Sequence, residues 1–158
     1  MSEVFTWLEN TALSQWVREA ETVWGYATFL TVHTFGMAIL VGVSFVVNLR
    51  LLGVGRRLAL GPMRTLFRVM WFGFWINLVT GSILFAADAN VRASSRLFLV
   101  KLSFEALGVV SIVLIERRVY QAGPEPTVVR SDTRRLAMVS LLAWFAAITA
   151  GRLLAYVG

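Results

Sequence analysis

Residues 23–53 constrain this chain more than any other stretch. The run VWGYATFLTVHTFGMAILVGVSFVVNLRLLG carries no charge before Arg50. It exceeds the roughly 20 apolar residues that cross the hydrocarbon core of a bilayer as a helix. In lipid every backbone amide and carbonyl must find its partner inside the protein, so such a run is expected to be helical throughout. Steps of three or four keep residues on one helix face. His33, Met37, Leu40, Ser44 and Asn48 share such a face, and His33 is the only histidine in the chain. Gly36 and Gly42 lie beside it, where small residues let a neighbouring helix approach. One side of this helix is therefore expected to face protein and the other lipid.

The rest of the chain agrees with a membrane setting. Of 158 residues 58% are hydrophobic and only 15% are charged, with a mean hydropathy of +0.71. A soluble domain needs a far more polar surface. The length suits a single bundle. No cysteine is present, which excludes a disulfide, a thiolate metal site and haem attached through Cys-x-x-Cys-His. The opening MSEVFTWLENTALSQWVREA lacks the basic start and unbroken apolar core of a signal peptide. Insertion is then expected to be directed by the first span itself. The formal charge of +6 does not indicate nucleic-acid binding, because the arginines gather in short stretches between apolar runs, as topology signals do.

Residues 1–21 read as a pair of interfacial helices lying on the membrane. Val4, Phe5, Trp7 and Leu8, then Leu13, Trp16 and Val17, form apolar faces broken near Asn10 and Thr11. Thr11 is suited to cap the second helix. Trp7, Trp16, Trp24 and Tyr26 suit the headgroup layer. Four spans are expected, at 23–51, 66–87, 97–115 and 136–157. Gly55, Gly61 and Pro62 break the chain after the first, and Gly123, Pro124 and Pro126 break it after the third. Gly73, Asn77, Gly81, Leu84 and Asp88 make a small and polar stripe on the second span. Lys101, Glu105, Gly108 and Ile112 share a face of the third. Ser140, Trp144, Ala147 and Gly151 share one on the fourth. The stretch from Asp88 to Arg96 reads as a short loop. The fold class is thus an all-α integral membrane four-helix bundle with an N-terminal interfacial pair.

Arginine placement predicts orientation. Arg50, Arg56, Arg57, Arg64 and Arg68 follow the first span, and Arg117, Arg118, Arg130, Arg134 and Arg135 follow the third. The N-terminal segment holds only Arg18 against four glutamates. The positive-inside rule puts both arginine-rich stretches in the cytoplasm and both termini outside, which in a bacterial inner membrane is the periplasm. His33 then lies about 10–15 Å below the outer surface at 1.5 Å per residue. Asp88, Lys101, Glu105 and Arg152 fall in the same outer half. Ionisable groups at such depth tend to face a bundle interior or a wet cavity. Two readings stand side by side: a structural ion-pair network whose charges snorkel to the surface, and an outward-facing polar pocket around His33.

His33 also has several readings. It can be a hydrogen-bonding residue between helices, a proton relay, or an axial ligand of haem b. Met37, one turn away on the same face, cannot take the opposite side of a haem held by His33. It can join His33 on a copper ion, because imidazole and thioether suit Cu(I). No nucleophile-and-base pairing, phosphate-binding glycine loop or His/Glu metal spacing is visible, so no catalytic residue is assigned.

Several residues together carry a resemblance. They are Tyr26, His33, Gly36, Gly42, the Asn48-Leu49-Arg50-Leu51-Leu52-Gly53 close of span one, the Phe98-x-x-Lys101 start of span three, and the Gly151-Arg152-x-x-Ala155-Tyr156 ending. The chain resembles a family of uncharacterised bacterial four-span membrane proteins. These look like distant neighbours of the CopD-type copper-resistance membrane proteins. Ala27, Leu30 and Asn48 stand where the family pattern has Pro, Glu and Asp. Leu30 removes a carboxylate one turn before His33. The family implies the four-span fold but no activity. The expected function is a non-enzymatic inner-membrane subunit or accessory protein. It would contact lipid and other membrane subunits or copies of itself, and no nucleic acid. The alternative is a haem b- or copper-binding electron-transfer or metal-handling protein using His33.

Overall fold

In a computed structural model that describes residues 2–20, 22, 24–54, 63–121 and 130–157, seven helices occur among the described residues. They are α1 (Ser2–Glu9), α2 (Ala12–Glu19), α3 (Tyr26–Leu52), α4 (Met63–Ala87), α5 (Ala89–Ser94), α6 (Arg96–Gln121) and α7 (Ser131–Val157). No strand occurs among the described residues. The breaks expected at Gly55, Gly61, Pro62, Gly123, Pro124 and Pro126, with Val23, Arg56 and Arg57, lie outside those residues.

Helices α3, α4, α6 and α7 are long and apolar enough to cross a membrane. Only 22–33% of each apolar window is buried inside the protein. The remainder, including Phe35, Phe72, Trp75, Leu142 and Phe145, faces outward, which lipid requires and water would penalise. The chain is therefore an all-α integral membrane four-helix bundle in contact with lipid.

The bundle is two hairpins. Helix α3 packs along α4, α6 packs along α7, and α3 joins the hairpins by packing on α7. Leu40, Val47, Leu51, Phe67, Met70, Ile112, Ile115, Ala137, Trp144 and Ala147 fill the core. The α4–α6 side is looser and is bridged by long side chains. The Trp71 indole donates to Glu116 at 2.9 Å, Phe67 meets Tyr120 at 6.3 Å between ring centroids, and Phe85 stacks on Phe98 at 5.7 Å.

Helix ends follow local chemistry. Gly53 closes α3 in the left-handed region, at φ 100°, which favours glycine. Thr11 caps α2, its hydroxyl oxygen accepting from the Ser14 amide at 3.4 Å. Two features differ from the sequence reading. The expected loop after Asp88 contains α5. Helices α6 and α7 run past the expected limits of 115 and 136, to Gln121 and from Ser131. Charged residues there mark the edge of the apolar span but are good helix formers. They are also tied across helices: Glu116 to Trp71, and Arg118 to Asp132 at 3.2 Å.

The interfacial pair docks on one end of the bundle. Helix α1 packs on α4 and α5, and α2 packs on α4. Val17 and Ser14 are buried in that contact, while Trp7, Trp16 and Trp24 stay exposed. Arg18 donates to the Ala87 carbonyl at 3.4 Å, at the negative end of α4. Glu9 accepts from the Asn90 amide N–H and side chain, both at 2.8 Å, at the positive end of α5. Both contacts complement helix dipoles.

Candidate functional site

Next to this N-terminal helix pair, helices α3 and α4 bring polar residues together. Their main chains cross at Gly36 and Gly73. A Cβ on Gly73 would lie 2.8 Å from the Leu40 nitrogen and 3.0 Å from the Gly36 carbonyl oxygen. That closeness sets the polar residues one to two turns outward in register. His33 Nδ1 lies 3.1 Å from Thr80 Oγ1. The Thr80 hydroxyl also lies 2.7 Å from the Ile76 carbonyl, to which it can donate. When it does, it accepts from Nδ1–H of a neutral imidazole and leaves the lone pair on Nε2. Gly81 leaves room for the ring, since a Cβ there would sit 3.0 Å from His33 Cε1. One turn inward the Asn77 side-chain amide donates to Met37 Sδ at 3.7 Å, and Asn77 Oδ1 is buried without a partner.

Helix α6 supplies the charges. Lys101 pairs with Glu105 at 3.4 Å, with side-chain exposures of 18% and 21%. The Lys101 ammonium sits 5.8 Å from the centre of the Phe98 ring. Its stem runs over Gly151, where a Cβ would lie 3.4 Å from Lys101 Cε.

Of the other expected members, Asp88 pairs with Arg92 at 3.4 Å, and Arg92 donates to the Tyr26 hydroxyl at 3.0 Å. Arg152 is exposed and stacks over Tyr156 at 5.9 Å. Among the described residues it has no carboxylate partner. Of the five expected residues, His33 meets Thr80 and Lys101 meets Glu105, while Asp88 meets Arg92 and Arg152 meets Tyr156.

The glycines expected to pack helices do three different things. Gly36 and Gly73 allow backbone against backbone. Gly81, Gly108 and Gly151 make room for the His33 ring, the Trp144 ring and the Lys101 stem. At Gly42 a Cβ would meet no atom within 4 Å among the described residues. Six residues past Gly36, it is rotated by about 240° from the crossing face at 3.6 residues per turn.

Sequence reasoning missed Thr80 and the inner polar contact. Thr80 lies seven residues after Gly73, on the same face, which was the available signal. At the inner end Asn48 donates to Ser140 at 3.0 Å and to Ser44 at 3.2 Å, and all three are buried. Asn48 and Ser140 belonged to separate stripes, and only the fold joins them.

As a metal centre the site offers imidazole and thioether. No group of three His, Cys, Asp or Glu side chains converges among the described residues, and the Met37 sulfur already accepts from Asn77. Chemically the arrangement provides interhelical hydrogen bonds beside one half-buried ion pair. Comparison with protein-family models, with curated proteins and with solved structures finds no match to this chain.

Proposed function

We propose that this chain is a non-enzymatic subunit or accessory protein of a bacterial inner membrane, packing with other membrane subunits or with copies of itself. The single observation that supports this reading is how the polar side chains are used. His33 with Thr80, Asn77 with Met37 and Asn48 with Ser140 all join helix to helix, as polar groups do when they hold a membrane bundle together. The arginine distribution supports both termini outside. Photo-crosslinking in native membranes tests the reading. A crosslinker at outward-facing Phe72 or Trp75 is expected to capture a discrete protein partner. Adducts with lipid alone from every outward position would overturn it.

A second reading rests on the Thr80 contact, which leaves His33 Nε2 as the lone-pair nitrogen and hence a ligand for haem b or copper, with Met37 as a copper co-ligand. The resemblance to CopD-type proteins points the same way. His33→Gln keeps hydrogen bonding and loses imidazole ligation. Under the subunit reading the purified variant keeps its partners and its absorption spectrum. Loss of a Soret band or of bound copper from a folded variant would put the second reading in place of the first.

A further inference from the structure

The loose α4–α6 side has a chemical gradient along it. On α4, Arg64, Arg68, Trp71, Trp75 and Leu78 follow one another at helical spacing. On α6, Tyr120, Arg117, Val113 and Val110 do the same. Arg64 stacks on Tyr120 at 4.8 Å. That contact fixes the register of the two walls. Since Arg68 lies one turn from Arg64 and Arg117 one turn from Tyr120, the three arginines fall within about one turn of each other along the two walls. Arg64, Arg68 and Arg117 are all exposed. Neither Arg68 nor Arg117 has a carboxylate partner among the described residues. The nearest acid, Glu116, accepts from the Trp71 indole. Further along the walls Trp75, Leu78 and Val110 are exposed at 59%, 45% and 54%. The seam therefore passes from cations, through aromatic rings, to hydrocarbon.

We propose that this seam binds one anionic glycerophospholipid. Its headgroup phosphate sits on Arg64, Arg68 and Arg117, and an acyl chain runs along Trp75, Leu78 and Val110. The proposal depends on charge complementarity and on the order of residues along the seam, and on neither functional reading above. Guanidinium groups hold phosphate through paired N–H donors. The rings below match the depth at which amphipathic aromatics settle in a bilayer. Basic pockets between spanning helices at the membrane surface are suited to anionic headgroups.

The test uses the full chain in nanodiscs of phosphatidylcholine with increasing phosphatidylglycerol. Thermal unfolding and native mass spectrometry of the retained lipid are the readouts. Phosphatidylglycerol is expected to raise Tm and to remain bound at one molecule per chain. The Arg68→Gln, Arg117→Gln double variant should keep its Tm in pure phosphatidylcholine and need roughly thirty-fold more phosphatidylglycerol for the same shift. Arg134→Gln with Arg135→Gln removes the same charge from α7 and should keep the shift. Equal losses in both double variants would reduce the effect to general surface attraction and overturn the site. A matching shift from inorganic phosphate in phosphatidylcholine would show that the cations serve a free anion and would overturn the lipid. Should the double variant fold poorly, Arg117→Gln alone decides, with a weakening of about five-fold expected and none refuting the proposal.

Discussion

Gly73→Ala adds one methyl group where α3 and α4 touch through their backbones. The new Cβ would lie 2.8 Å from the Leu40 nitrogen, 2.8 Å from Ile39 Cγ2 and 3.0 Å from the Gly36 carbonyl oxygen. Ordinary contact begins near 3.4 Å, so the main chains must retreat by about 0.6 Å. A gap of that size forfeits about a quarter to a half of each dispersion well it opens. Overpacking of this kind typically costs about 1–3 kcal/mol. Replacing a mid-helix glycine by alanine gains about 0.5–1 kcal/mol through the backbone. Clash and gain oppose each other, and the structure says which dominates. At Gly73 two of the three close atoms are backbone and cannot rotate away, so the clash prevails. At Gly42 nothing among the described residues lies within 4 Å, so only the gain remains. At Gly151 the neighbour is the flexible Lys101 stem at 3.4 Å, at the edge of ordinary contact, so most of the gain should remain. Reversible unfolding in one fixed detergent should rank Gly42→Ala first, Gly151→Ala next and Gly73→Ala last. The first and last should differ by about 1–3 kcal/mol. A Gly73→Ala protein as stable as Gly42→Ala would refute the backbone crossing.

Three further outcomes are expected. A double-mutant cycle on Asn48→Ala and Ser140→Ala should give a coupling of about 0.6 kcal/mol, the usual worth of an interhelical hydrogen bond in a membrane; additive losses would mean the bond does not hold α3 to α7. The Asn90 backbone amide, and then its side chain, hold the Glu9 carboxyl below its usual 4.5. Docking of α1 on α5 is then fully supported above that value and weakens as pH falls through the lower, folded one. Trp7 fluorescence should report this in the parent protein and show no such transition in Glu9→Gln, and identical profiles would sink the idea. For orientation, Thr65→Cys and Gln121→Cys should react with an impermeant thiol reagent only after cells are permeabilised, and labelling of either from the outside of intact spheroplasts would reverse the topology.

Much of the architecture was legible one helix at a time. Four apolar runs in a chain with few charges leave backbone groups no partners but their own helix, so helicity and span number follow from hydropathy alone. Thr11 announced its cap. The pairing of Lys101 with Glu105 was also readable, because a spacing of four on a helix is a contact within one element. The limits of that reading fall where charge and helix part company. Glu116 to Gln121 and Ser131 to Arg135 are helical yet lie at the polar edge of the spans, and α5 stands where a loop was expected.

What the tertiary structure alone decided is which stripe meets which. Glycine spacing marks small positions but cannot distinguish Gly73, against a backbone, from Gly81, against a ring, or from Gly42, against nothing among the described residues. That depends on the rotation of each helix about its axis, a property set by all its neighbours at once. For the same reason Thr80 became the partner of His33, and Asn48 that of Ser140, across 47 and 92 residues of sequence. Likewise only the fold shows that Arg152 meets Tyr156 and that Asp88 meets Arg92. Depth follows from counting along a helix at a fixed rise per residue, while azimuth emerges only when four helices pack together.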